Sequence, residues 1–66
     1  MTLGDIFDQY GAGARVAKMD ELQLGPLTLS YCYLGTFRTR MIACTTAKSM
    51  WCFDYHATRE EFEVIE

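Results

Sequence analysis

The sequence predicts a small α+β domain in which an N-terminal helix packs on an antiparallel β-sheet of three to four strands. Apolar residues near the N-terminus recur with helical spacing, and those after Pro26 alternate with the period of a strand. Half of the 66 residues are hydrophobic at a net charge of −3, a balance typical of folded chains. Since a chain of this length has room for one core, we expect residues 1–66 to form a single domain.

Residues 3–10 have the pattern of an amphipathic helix. Thr2 and Asp5 form a capping-box pair, with aspartate in place of the usual glutamate, and Gly11 suits the helix end. A second, shorter helix over residues 14–22 is a further expectation. The apolar positions on one face of the first helix are Leu3, Ile6, Phe7 and Tyr10.

From Leu27 onward, alternation and β-branched or aromatic content predict a three-stranded antiparallel meander. We expect its strands at 27–34, 37–45 and 50–56. Loops of even length place opposed residues on one face, which gives a face under the helix and a mixed outer face. The predicted helix-covered face holds Leu27, Leu29, Tyr31, Tyr33, Arg38, Arg40, Ile42, Cys44, Trp51, Phe53 and Tyr55. The predicted outer face holds Thr28, Ser30, Cys32, Thr39, Met41, Ala43, Cys52, Asp54 and His56.

The segment 57–66, ATREEFEVIE, fits two structures. Thr58 with Glu61 is a capping-box pattern for a helix, whereas Phe62 and Val64 alternate with glutamates as in an edge strand. The strand is the favoured interpretation, and it would be the fourth strand of the sheet.

Acidic residues concentrate toward both ends of the chain, whereas residues 22–53 contain three cations and no acid. Such acids are typical of a solvated surface that keeps a small protein soluble. They would also suit a basic groove, because complementary potential speeds association and adds specificity, and they would imitate a phosphate backbone. The predicted partner-binding acids are Asp5, Asp8, Asp20, Glu21, Asp54, Glu60, Glu61, Glu63 and Glu66.

The stretch YCYLGTFRTR, residues 31–40, offers an alternative site for nucleic acid. Tyr31, Tyr33, Arg38 and Arg40 supply rings for base stacking and charges for phosphate. A packed rim with arginine stems over tyrosine rings explains the same residues. Because nonspecific binding to nucleic acid needs several phosphate contacts and this chain is net acidic, we expect no direct nucleic-acid binding.

The cysteines and the single histidine predict neither a metal site nor an active site. Cys32, Cys44, Cys52 and His56 lack the short spacing of a zinc knuckle. On a strand, Cys52 and His56 would lie about 13 Å apart, whereas a base must reach its nucleophile within about 3 Å. We therefore expect no catalytic residue, no cofactor and no enzymatic activity.

The N-terminal residues lack a basic segment followed by a long apolar one, and no run is long enough to span a bilayer. Three cysteines, an odd number at wide spacing, favour a reducing compartment. We expect a cytoplasmic protein, in the host cytosol if a phage encodes it, without a membrane partner.

In size, charge and character, the whole chain resembles the small inhibitors that phages and mobile elements direct against host defence, of which anti-CRISPR proteins are the best-known group. The resemblance implies binding to the basic surface of a nucleic-acid-handling complex and a block of its access to DNA, by acidic mimicry or by steric contact through Trp51, Tyr or Phe side chains. Because that group shares no common fold, the resemblance assigns no residue a role. An oligomerising antitoxin-like subunit and a small RNA-binding or single-strand-binding β-module are the alternatives, and the expected state is a monomer or a small homo-oligomer.

Overall fold

A computed structural model describes residues 2–65 and shows one helix on a five-stranded antiparallel sheet. The order of strands across the sheet is β4-β3-β2-β1-β5, so both edges are formed by late segments of the chain. The elements are α1 (Leu3–Tyr10), β1 (Arg15–Lys18), β2 (Leu27–Leu34), β3 (Arg40–Thr45), β4 (Met50–Asp54) and β5 (Phe62–Ile65). Short 3₁₀ turns occupy Leu22–Leu24, Thr36–Arg38 and Arg59–Glu61.

The predicted first helix and its cap are confirmed. The hydroxyl of Thr2 accepts the Asp5 amide at 3.2 Å, and the Thr2 amide donates to the Asp5 carboxylate at 2.8 Å, which completes the capping box. Gly11 ends the helix at φ 79°, where its amide donates to the Phe7 carbonyl at 2.7 Å. Glycine favours this position because a positive φ carries little strain without a Cβ.

The predicted second helix over residues 14–22 is wrong, because most of that segment forms β1 and the turn after it. Gly13, at φ 94°, turns the chain so that its amide donates to the Leu29 carbonyl at 2.8 Å. The Leu29 amide in turn donates to Ala14 at 2.8 Å, which places the following residues beside β2. Pairing of β1 with both β2 and β5 outweighs the weak helical preference of four residues.

The sheet has five strands rather than the predicted three to four. The meander of β2, β3 and β4 is confirmed, and so is the strand interpretation of the C-terminal segment. The predicted second and third meander strands are too long. Residues 36–38 form a 3₁₀ turn before β3, and β4 ends at Asp54, where the chain turns toward the helix N-terminus.

The core lies between α1 and one face of the sheet. The ring of Phe62 from β5 meets that of Phe53 from β4 edge to face, with centroids 5.2 Å apart, so the two edge strands contact each other beneath the helix. The buried core side chains are Leu3, Ile6, Val16, Leu27, Leu29, Ile42, Cys44, Tyr55 and Phe62.

A β-bulge at Ser30 reverses the predicted faces in the second half of β2. Leu29 pairs with Cys44 but Tyr31 pairs with Ala43, so β2 carries one residue more than β3 at this point. The predicted placement of Tyr31 and Tyr33 under the helix is therefore wrong. We call the side of the sheet opposite α1 the open face; on β2, β3 and β4 it holds Tyr31, Tyr33, Met41, Ala43, Met50 and Cys52.

One further residue, Cys32, lies on the face opposite to the predicted one, and Trp51 lies on the predicted face but remains exposed. Cys32 pairs with the buried Ile42 and packs against the core, so it lies on the helix side and not on the outer face. Trp51 does lie on the helix side but is 39% exposed, because it stands at the edge of the sheet beyond the cover of α1.

Candidate functional site

Four of the predicted partner-binding acids meet at one end of the sheet. Asp20 and Glu21 follow β1, whereas Glu60 and Glu61 precede β5, and the Met19 amide donates to the Glu61 carbonyl at 2.7 Å to join the two segments. We call Asp20, Glu21, Glu60 and Glu61 the acidic corner. The two segments that carry these acids are about forty residues apart in the sequence, and the antiparallel pairing of β1 with β5 brings the segments side by side.

Lys18 neutralises part of the acidic corner. Its ammonium lies 2.7 Å from Asp20 and 3.1 Å from Glu21, while its stem is buried beside the core. The hydrogen bond between Lys18 and Asp20 raises the pKa of Lys18 and lowers the pKa of Asp20, and burial opposes both shifts. Two acids thus share one cation, and the corner keeps a negative balance.

The remaining predicted acids are placed elsewhere and have local structural roles or stand alone. Asp5 caps α1, Asp8 accepts the hydroxyl of Tyr55, and Asp54 accepts the His56 amide at 2.7 Å. Glu63 lies on β5 directly opposite Ala17 and is exposed. Glu66 lies outside the described residues. Only part of the predicted set therefore forms one surface.

The alternative nucleic-acid set is divided between the two sides of the sheet. The Arg40 guanidinium lies 3.9 Å from the ring centroid of Tyr55 on the helix side, as expected for arginine packed over a tyrosine ring. Tyr31 and Tyr33 lie on the open face, with ring centroids 5.7 Å apart and planes inclined by 50°. Arg38 stands in the turn between β2 and β3.

The tyrosines of the open face cover its centre. Ala43 lies on β3, which is flanked by β2 and β4, and it is fully buried although α1 packs on the other side of the sheet. Hydrogen bonding to the Cys52 thiol is the main cause that raises the pKa of Tyr33. Tyr31 itself is half exposed.

The β2–β3 turn presents a feature that sequence analysis missed. Phe37 and Arg38 both have left-handed backbones, at φ 58° and 59°, and Phe37 is 97% exposed. The turn closes through the Gly35 amide, which donates to Thr39 at 2.7 Å. Left-handed residues other than glycine are strained, and such strain is concentrated at functional sites. Only the two residues GT were assigned to this turn from the sequence, so no signal marked Phe37.

The thiol groups lie on both sides of the sheet in the described part of the chain. Within residues 2–65, no group of three or more His, Cys, Asp or Glu side chains is placed to hold a metal ion. Cys44 is buried on the helix side, Cys32 is half-buried on that side, and Cys52 is exposed on the open face. Burial raises the pKa of the Cys44 thiol to about 12. Across residues 2–65, no helix is long and apolar enough to cross a membrane.

Comparison of the chain with models of known protein families, with curated protein sequences and with solved structures found no match.

Proposed function

We propose that this chain is a non-enzymatic binding protein of the cytoplasm that inhibits a nucleic-acid-handling complex, in the manner of anti-CRISPR proteins. It would dock its acidic corner on a basic surface that otherwise holds DNA. The observation that supports this proposal is the convergence of Asp20, Glu21, Glu60 and Glu61 from two distant segments at one end of the sheet. The turns that carry these carboxylates adjoin the paired strands β1 and β5, so their backbone is ordered before binding.

The distribution of charge supports the same partner class. Arg38 and Arg40 lie at the β2–β3 end of the sheet, together with Asp8 and Asp54, and strand pairing places the acidic corner at the opposite end. A net-acidic molecule is attracted to a basic groove over a long range, which speeds the encounter. Glu63, exposed on neighbouring β5, extends the negative surface along the edge.

The experiment is a pull-down with tagged protein from nuclease-treated bacterial lysate that contains defence systems. We expect near-stoichiometric recovery of a nucleic-acid-handling complex by the wild type, and its loss with combined Glu60→Gln, Glu61→Gln and Glu63→Gln. The three side chains are exposed, so the substitutions should leave folding intact. The matched control carries aspartate at the same three positions and keeps the charge. Equal recovery by the glutamine and aspartate variants would contradict the acidic-corner mechanism.

A second candidate function, binding of RNA or single strands, is favoured by the exposed Tyr31 and the half-buried Tyr33 beside it on the open face. A parallel gel-shift with mixed DNA and RNA separates the two. Under the inhibitor proposal, free nucleic acid is not shifted. A shift that is lost in Tyr31→Ala and weakened by salt would support the nucleic-acid function instead.

A further inference from the structure

Strand β4 is an edge strand without the features that usually protect an edge. Its sequence, Met-Trp-Cys-Phe-Asp, contains neither lysine nor proline, and its pairing with β3 continues without a bulge. Three of its five residues, Met50, Trp51 and Cys52, are exposed although they are apolar. The opposite edge, β5, carries an exposed glutamate in its middle. Natural sheets protect edges with charge, proline or bulges because a bare edge pairs with another strand.

The hydrogen bonds at both ends of the β3–β4 pair show which backbone groups face outward. The Tyr55 amide donates to Arg40 at 3.0 Å, and the Thr46 amide donates to Ser49 at 2.8 Å. Because bonded and non-bonded pairs alternate along an antiparallel ladder, Trp51 and Phe53 direct their backbone groups to β3. The amides and carbonyls of Met50 and Cys52 and the amide of Asp54 therefore point to the free edge, whereas the Asp54 carbonyl accepts the Ala57 amide at 2.9 Å.

We propose that a second copy of this chain pairs antiparallel with β4 about a two-fold axis at Cys52. The two five-stranded sheets then join as one continuous sheet of both copies. In this register Cys52 lies opposite Cys52 of the second copy, and Met50 lies opposite Asp54 of the second copy. Each residue whose backbone points to the free edge therefore faces another such residue across the two-fold axis. The surface is isologous, which gives a closed dimer.

Side chains and charge favour a second copy over an unrelated strand. Trp51 and Phe53 lie on the same side of β4 with rings stacked at 6.5 Å and inclined by 8°. In the proposed register Trp51 lies opposite Phe53 of the second copy, and Phe53 lies opposite Trp51 of the second copy, so four rings form a row. Asp54, the one charge of β4, opposes the neutral Met50, so two net-acidic chains meet without an opposed pair of acids. The inference is independent of the inhibitor proposal.

Cys52 reports on the register directly. Residues that exchange both backbone bonds have Cα atoms about 5.5 Å apart, which falls within the range that a disulfide spans. Copper-catalysed oxidation by molecular oxygen removes two protons and two electrons from two thiols and forms one S–S bond. We expect rapid, near-complete conversion to a covalent dimer at micromolar protein, and its loss in Cys52→Ser. Cys32→Ser should not reduce the yield, because Cys32 lies on the helix side away from the axis.

Sedimentation equilibrium of the reduced protein measures the dimer without oxidation. A strand of five residues gives a small interface, so we expect a reversible, concentration-dependent dimer. Met50→Glu places an acid opposite Asp54 of the second copy at two symmetric positions, and the dimer Kd should rise about tenfold. Adding Asp54→Lys to Met50→Glu should restore the Kd. The control Leu34→Glu changes an equally exposed residue at the far end of β2 and should leave the Kd unchanged.

Three other outcomes would overturn the proposal. A chain that stays monomeric at millimolar concentration has no self-pairing edge, and a different strand would then be the partner of β4. Open polymers would indicate head-to-tail pairing of β4 with β5 of the next copy. A dimer that Met50→Glu leaves intact while circular dichroism shows a folded protein would lie on another surface.

Discussion

At the scale of single residues, Tyr55 connects three parts of the molecule that are distant in sequence. Its hydroxyl donates to Asp8 of α1, Arg40 of β3 lies over its ring, and its ring packs on the backbone of Gly4. It is buried although it follows the last residue of β4. One residue thus holds the helix N-terminus against the end of the meander.

The contact with Tyr55 explains why glycine occupies position 4. A Cβ on Gly4 would overlap the Tyr55 ring, although alanine is the better helix former by about 1 kcal/mol. We expect Gly4→Ala to lower the free energy of unfolding by about 1–3 kcal/mol, the usual cost of overpacking. Urea denaturation followed by circular dichroism measures this difference.

The control for that substitution is Gln9→Ala, an exposed position in the same helix. It should change the free energy of unfolding by less than about 0.5 kcal/mol. If Gly4→Ala instead stabilised the protein, helix propensity would outweigh the contact, and Tyr55 would not pack on Gly4 as described.

At the scale of elements, the β2–β3 turn holds two residues in a conformation that favours glycine. Phe37 is 97% exposed at φ 58°, so its side chain contributes almost no burial to offset the strain. We expect Phe37→Gly to raise the free energy of unfolding by about 0.5–1 kcal/mol, because removal of the strain exceeds the added entropy of the unfolded chain. Chemical denaturation checks the sign.

Thr36→Gly is the matched control in the same turn, since Thr36 does not have a positive φ. It should lower the free energy of unfolding by about 0.5–1 kcal/mol, because glycine there only adds entropy to the unfolded chain. If Phe37→Gly lowered the free energy of unfolding as Thr36→Gly does, the left-handed conformation of Phe37 would carry no strain that glycine relieves.

The elements also show where sequence patterns suffice and where they do not. α1 and β2 were predicted correctly because their periodicity is continuous over eight residues. β1 was not, because RVAK is too short to show a period and becomes a strand by pairing on both sides. The bulge at Ser30 leaves the alternation of residues 27–34 unbroken in the sequence, so only the register with β3 reveals that the tyrosines face outward.

The candidate site was predictable as a set of residues but not as a surface. Composition identified the acids, and their clustering near both ends of the chain was evident. Their convergence depends on β1 lying beside β5, a pairing between segments about forty-five residues apart that no local pattern encodes. Asp54 belongs to another part of the sheet, at the end of β4 and opposite Met41 of β3.

At the scale of the whole molecule, stability should depend on pH in the alkaline range. Hydrogen bonding to Asp8 raises the pKa of Tyr55, burial raises the pKa of Cys44 to about 12, and hydrogen bonding to Asp20 raises the pKa of Lys18. A pKa raised in the folded state stabilises the fold below the unfolded-state pKa, and that stabilisation is lost as pH rises through the folded-state pKa.

All three shifts therefore act in one direction. We expect the free energy of unfolding to fall continuously as pH rises from 9 to 12, the range over which Cys44 would ionise in the unfolded but not in the folded chain. Urea denaturation at stepped pH measures the slope, and Tyr55→Phe should make it shallower. A profile that stays flat over this range would contradict the assigned surroundings of these groups.

The strand order has a consequence for folding kinetics. β1, β2, β3 and β4 each pair with the next strand along the chain and can do so soon after collapse, whereas β5 must reach β1 across the whole meander. Closing that long loop costs chain entropy before any contact repays it. Phe62 enters the core only at this step, so the slow event in folding is also the one that completes the hydrophobic interior and assembles the acidic corner.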